Sequence, residues 1–179
     1  MVECDVRLRD PARLEALRRT GLLDSAAEDI YQRLTAPARR LLAAPVALVS
    51  LVDADRQFFA SASGLPEPWA STRQTPLSHS FCQHVVLRGC PLVVEDARQH
   101  PTLQHNLAVP DFDVVAYLGV PLITPDGQVL GSFCVIDHVP RRRGPREVAT
   151  MEALAGAVDH FVRTGDAVRL SARAGRALR

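Results

Sequence analysis

Cys82 and His84 stand two residues apart in Ser80-Phe-Cys-Gln-His84, where a helix is expected to begin. A cysteine is a nucleophile when its thiolate is stabilised, and a helix N-terminus stabilises it. Cys82 is therefore a candidate redox or attachment site. The competing reading is a small buried hydrophobe, the commoner state of a free cysteine. The four cysteines, Cys4, Cys82, Cys90 and Cys134, form no CxxC pair and no zinc-finger spacing, and in a reducing compartment they are expected as free thiols. His79, His84, His100 and His105 fall on separate segments and fit no ligand template. Surface or capping roles are expected for them, and no metal site. There is no Ser-His-Asp order, no phosphate-cradling glycine loop and no pair of catalytic carboxylates. Asp53 and Asp55 read as turn residues, and Arg141-Arg-Arg143 reads as a solvated basic loop, with a partner-docking patch as the alternative. The expectation is a binding module and not an enzyme.

The elements that must position these groups follow from pattern and punctuation. Asp10 and Pro11 open a first helix with Leu14 and Leu17 on one face, and Gly21 stops it. Ser25-Ala-Ala-Glu28 matches a capping box before a second helix, whose apolar face is Ile30, Leu34, Ala38, Leu41 and Leu42. Pro37 is expected to kink or split that helix, and Pro45 to end it. Val46 to Val52 and Arg56 to Ser63 read as an antiparallel hairpin. Gly64 to Pro76 reads as a loop holding the single tryptophan, Trp69. Ser78 or Ser80 caps a helix through Cys82, Val85 and Val86, stopped by Gly89. A short strand at Pro91 to Val94, a broken stretch to Asp113, and strands over Val114 to Ile123 and Val129 to Ile136 follow, the last two joined at Asp126-Gly127.

Pro145 starts a last helix, in which Val148, Met151, Ala155, Val158 and Val162 form a heptad seam. The seam packs either on the chain's own sheet or against a second copy, and the second option makes these five residues the expected homodimer interface. The order of elements predicts an α/β (α+β) domain with a central antiparallel sheet. Of the 179 residues, 47% are hydrophobic and 23% charged, an ordinary globular balance. A net charge of +1, from 21 arginines against 20 acidic residues, gives no general attraction to nucleic acid or anionic lipid. With no secretory signal and no apolar run long enough to span a bilayer, a cytoplasmic location is expected.

Several ordered motifs together resemble bacterial GAF domains: Leu48-Val-Ser-Leu-Val-Asp-Ala-Asp-Arg-Gln-Phe-Phe59 with Gly64-Leu65, Ser80-Phe-Cys-Gln-His84, Pro91-Leu-Val-Val-Glu-Asp-Ala97, Tyr117-Leu-Gly-Val-Pro-Leu122 and Asp126 to Asp137. The lead-in from Arg13 to Asp24 is similar to that of one subgroup. The division that follows is a tail over 1–10, a sensor domain over 11–164 and a helical extension or tail over 165–179. The resemblance implies a six-stranded antiparallel sheet with helices on both faces. It also implies a pocket of a few hundred cubic ångströms between central helix and sheet, with Phe81, Cys82, His84, Asp96, His105, Asn106, Tyr117 and Cys134 as candidate ligand-binding residues. Family members regulate histidine kinases, cyclic-dinucleotide enzymes, phosphatases or transcription factors, so a separate signalling output protein is an expected partner. The ligand or cofactor stays unidentified. Some relatives attach a bilin to a cysteine followed directly by histidine; here Gln83 intervenes. Others reduce free methionine sulfoxide with pocket cysteines, a role open in principle to Cys82, Cys90 and Cys134, and no such turnover is expected here. The alternatives to a ligand-binding sensor are a thiol redox sensor or small redox enzyme, and a dimerisation scaffold without ligand.

Overall fold

The computed structural model describes residues 7–25 and 29–160, with the side chains of 29–34 left aside. Helix α1 (Pro11–Arg19) begins as its residues dictate: the Asp10 carboxylate accepts the Ala12 and Arg13 N–H groups, and Pro11 occupies the first turn. Gly21, with φ 64°, ends it. Helix α2 (Asp29–Leu41) carries Pro37 inside a single helical run, so the proline does not split it. Ala38 and Leu42 face the core, whereas Leu41 is 65% exposed and leaves the apolar face expected of it. The helix ends at Leu41 and Ala43 takes a positive φ of 47°. The side chains of Ile30 and Leu34 lie outside those described.

Six strands form one antiparallel sheet in the order β3-β2-β1-β6-β5-β4. Strand β1 (Val46–Val52) lies between β2 (Arg56–Ser63) and β6 (Val129–Asp137) and is buried throughout because its side chains enter a core on each face of the sheet. Strand β5 (Ala116–Ile123) pairs with β6 and carries β4 (Leu92–Val94) at the edge. The stretch expected as open loop after Gly64 instead holds a short helix, α3 (Trp69–Thr72), and the edge strand β3 (Gln74–Pro76). Helix α4 (Cys82–Arg88) follows; Ser80 Oγ accepts the Gln83 N–H at its start and Gly89 stops it. A five-residue helix, α5 (Ala108–Phe112), precedes β5. The last described helix, α6, covers 145–160.

Alternation along the central strands divides the core in two. Phe133 and Val135 of β6 join Leu118 and Val120 of β5 on the face covered by α1, α2 and α6. Cys134, Ile136 and Tyr117 join Leu48, Phe59 and the α4 residues Cys82, Val85 and Val86 on the other. Helices lie on both faces.

The heptad seam is resolved by this arrangement. Met151, Ala155 and Val158 are 0%, 4% and 0% exposed within the chain's own core, and Val148 packs half-buried against the same cluster. The seam meets the sheet of its own domain. Met151, Ala155 and Val158 therefore present no surface to a second copy. Val162 and the stretch 165–179 lie outside the described residues.

Candidate functional site

On the α4 side of the sheet lies a cavity lined by Val46, Leu48, Gln57, Phe59, Phe81, Cys82, Tyr117 and Ile136, roofed by Leu65, Trp69, His79, Ala108 and Phe112, with His138 at its rim. The space open to the centre of a water-sized sphere is about 40 Å³, room for a few waters at roughly 10–15 Å³ each. The few hundred cubic ångströms expected from sequence are not present, and the roof is the reason. Trp69 and Phe112 meet edge to face at 4.5 Å between ring centres, and His79 stacks 5.1 Å from Phe112. His79 Nε2 lies 2.9 Å from the Asp111 carboxylate, which ties the turn before α4 to α5. These contacts draw α3 and α5 down over the opening.

Cutting Phe112 to alanine removes the ring on which Trp69 rests. Trp69 is the chain's single tryptophan, so its emission should move to longer wavelength and become more open to acrylamide quenching. An unchanged spectrum would place the roof elsewhere.

The floor is polar at two points. Gln57 is 4% exposed; its Oε1 accepts from Ser80 Oγ at 2.8 Å and Ser50 Oγ at 3.3 Å, and its Nε2 donates to Thr75 Oγ1 at 2.6 Å. A buried amide so fully engaged fixes the relative position of β1, β2, β3 and the α4 approach. The second point is a sulfur pair. Cys82 Sγ lies 3.8 Å from Cys134 Sγ, and the Tyr117 hydroxyl donates to Cys82 Sγ at 3.4 Å while lying 3.2 Å from Ser132 Oγ. Gly119 is required there, since a Cβ would stand 2.2 Å from the Tyr117 hydroxyl. Hydrogen bonds from Cys134, and then Tyr117, Ser50 and Ser132, draw the Cys82 thiol down to about 7 against the opposing effect of burial. The Cys134 thiol and the Tyr117 phenol are both held well above their usual values, Cys134 by its bond to Cys82 and Tyr117 by burial.

Of the eight candidate residues, Phe81, Cys82 and Tyr117 line the cavity. Cys134 sits directly behind Cys82. The other four do not line this cavity. His84 is half-buried on α4, and burial, then His100 and Arg88, lower its proton affinity. Asp96 caps a 3-10 turn and holds Arg98, and that pairing draws its carboxyl down to about 2. Asn106 spends its amide on the Ser80 carbonyl and the Ala108 N–H. His105 is exposed. Turn formation claims Asp96 and Asn106 first.

Sequence reasoning missed Gln57, His79, Trp69, Phe112 and His138. A lone glutamine beside Phe58-Phe59 in an apolar strand, and a lone tryptophan in a proline-rich stretch, were the available signals. It also misread the basic loop. Arg143 is buried against Asp137 at 2.5 Å, both side chains 4% exposed, and it donates to the Leu42 carbonyl. Arg141 reaches the same carboxylate at 2.9 Å. Among the described residues no group of three or more His, Cys, Asp or Glu could hold a metal ion, and no helix is long and apolar enough to cross a membrane.

The family model described as "GAF domain" matches residues 26–159. A cyclic di-GMP phosphodiesterase of Pseudomonas aeruginosa is 37% identical over 139 residues, 75% of this chain. The match spans only 22% of that relative's length. Among solved structures, the GAF domain of an Acinetobacter phosphoenolpyruvate-protein phosphotransferase superposes with a TM-score of 0.64 at 19% identity, over 89% of this chain and 98% of that one. Free methionine-R-sulfoxide reductase of Neisseria meningitidis superposes at 0.63 with 15% identity, over 84% and 87%. Likeness at these identities is likeness of fold.

Proposed function

Because the chain belongs to the GAF domain family, we propose that it is a non-catalytic sensory module in signal transduction, in which a small molecule entering beneath the α3–α5 roof changes the hold of the sheet on its terminal helices. One observation carries this reading. Ile136 and His138 line the cavity, and Asp137 between them is the buried carboxylate that grips Arg143 and Arg141 at the approach to α6. Arg143 in turn holds the chain just after α2 through the Leu42 carbonyl. A displacement at the end of β6 therefore reaches the cavity wall, α2 and α6 together. The closed cavity is the resting member of a two-state equilibrium, and a ligand shifts that equilibrium by the difference in its affinity for the open and closed forms. The phosphodiesterase relative supports an output of the cyclic-dinucleotide class, with the module as one part of a longer signalling assembly.

The test is native mass spectrometry of the chain purified from its own host, joined to amide hydrogen exchange. A non-covalently retained small molecule is expected. Removing it should alter exchange over 145–160 in the wild type and leave that helix unchanged in Asp137→Asn. A chain that retains nothing, with α6 indifferent to the cavity, would make the domain an interaction scaffold.

A further inference from the structure

We propose that Cys82 and Cys134 are a peroxide-oxidisable thiol pair, with Cys82 the sulfur attacked and Cys134 the sulfur that resolves it. The inference goes beyond the sensory reading and does not depend on any other ligand. Three geometric facts point to it. The two sulfurs are in contact at 3.8 Å across 52 residues of sequence, one on α4 and one on the central strand β6. They differ in access: Cys82 is on the cavity wall, and Cys134 is absent from that wall and fully buried behind it. The cavity is of about 40 Å³, a size that admits a two-oxygen molecule without lifting the roof.

The groups around Cys82 suit the reaction. The Tyr117 hydroxyl points at its sulfur and is itself within reach of Ser132 Oγ, so a donor is in place for the thiolate and for the oxygen that departs. The same hydrogen bonds bring the Cys82 thiol down to about 7, which supplies thiolate at neutral pH. The thiolate attacks one oxygen of hydrogen peroxide; an S–O bond forms, the O–O bond breaks, and hydroxide leaves and takes up the proton that Cys82 gave up. This yields the sulfenic acid. Cys134 sulfur then attacks Cys82 sulfur; the S–S bond forms, the S–O bond breaks, and the departing hydroxide leaves as water with the Cys134 proton. Two thiols and one peroxide become one disulfide and two waters, with the two electrons taken from the sulfur pair.

Closing from 3.8 Å to a bond of about 2.05 Å calls for movement by α4, because β6 is held by strands on both sides. Cys82 is the first residue of that seven-residue helix, and its neighbour Phe81 rests edge-on against Tyr117 in the cavity wall. Oxidation therefore reshapes the cavity.

The experiment uses the whole chain with Cys4 and Cys90 changed to serine. Reduced protein is treated with one equivalent of hydrogen peroxide, denatured in N-ethylmaleimide and mapped by mass spectrometry. The expected result is loss of both alkylatable thiols and an intramolecular Cys82–Cys134 linked peptide, formed at a rate that rises with pH through about 7. Cys134→Ser should stop at a Cys82 sulfenic acid that dimedone traps, Cys82→Ser should leave Cys134 alkylatable, and Tyr117→Phe should slow the first step. Circular dichroism of each reduced variant checks its fold, and the parent alone decides the pairing. If both thiols of the parent remain alkylatable after peroxide, or if Cys134 oxidises as fast without Cys82, the proposal is overturned.

Discussion

Replacing Asp137 by alanine is expected to destabilise the domain by about 3–5 kcal/mol, the range for removing one partner of a buried ion pair. Both carboxylate and guanidinium are 4% exposed, and Arg143 also donates to the Leu42 carbonyl, so it cannot swing out to water without releasing α2. The loss comes from the stranded Arg143 charge more than from the missing attraction. Adding Arg143→Met to the alanine variant should therefore recover most of it, since an apolar replacement of a buried pair is often close to neutral. Arg141 is a contrast. Its side chain is 37% exposed and can rehydrate, so Arg141→Ala should cost less than about 1 kcal/mol. Urea unfolding of the four proteins measures all of this. A single-variant loss under about 1 kcal/mol would mean that the pair is solvated, and the proposed link between cavity and α6 would lose its physical basis.

That clamp also shows where sequence reading stops. Local chemistry was legible because its causes are local. Asp10 with Pro11, Ser80 with Gln83, and Gly89 after Arg88 each satisfy or end a helix within a few residues. The long strands were legible because β-branched, mostly apolar runs extend over seven residues or more. Strand β3 was not, since three residues carry no period, and Gln74–Pro76 is a strand only because the edge of β2 is there to receive it. Arg143 looked like surface because a run of three arginines usually is. Its partner is six residues back, at the end of a strand, and its other acceptor, the Leu42 carbonyl, lies across the fold just after α2. The α6 seam had the right period and left its neighbour open between the chain's own sheet and a second copy: a helix stripe declares that it must be covered without naming by what. At the site, Phe81, Cys82 and Tyr117 came from resemblance and were brought together, while the aromatic roof arises from two helices too short to leave a pattern.

Arg13 makes the same point from the other end of the fold, and its removal should be the next most damaging change. It is 3% exposed in α1, between Pro11 and Leu14, where sequence shows only another arginine in a charged helix. Its Nη1 donates to the Val52 carbonyl at 2.7 Å, its Nε to the Arg7 carbonyl at 3.2 Å and its Nη2 to the Leu8 carbonyl. One guanidinium thus joins the segment before α1, the helix itself and the last residue of β1. Burial lowers its proton affinity while Asp53 and Asp10 oppose that, so the charge is kept because carboxylates and carbonyls surround it. Arg13→Met keeps the stem and takes the guanidinium from the Val52, Leu8 and Arg7 carbonyls, of which the Arg7 carbonyl keeps the Asp10 N–H. At about 1–3 kcal/mol per unsatisfied buried group, with some relief from entering water, the loss should be roughly 3 kcal/mol. Arg13→Lys keeps the charge, but a single ammonium lacks the fork that spans three acceptors, and an intermediate loss is expected. Chemical denaturation gives the magnitudes. Limited proteolysis separates this role from general core damage: the methionine variant should be cut sooner within residues 7–9 while α4 and the sheet stay protected. If cleavage there is unchanged, Arg13 is not what fastens that segment to β1.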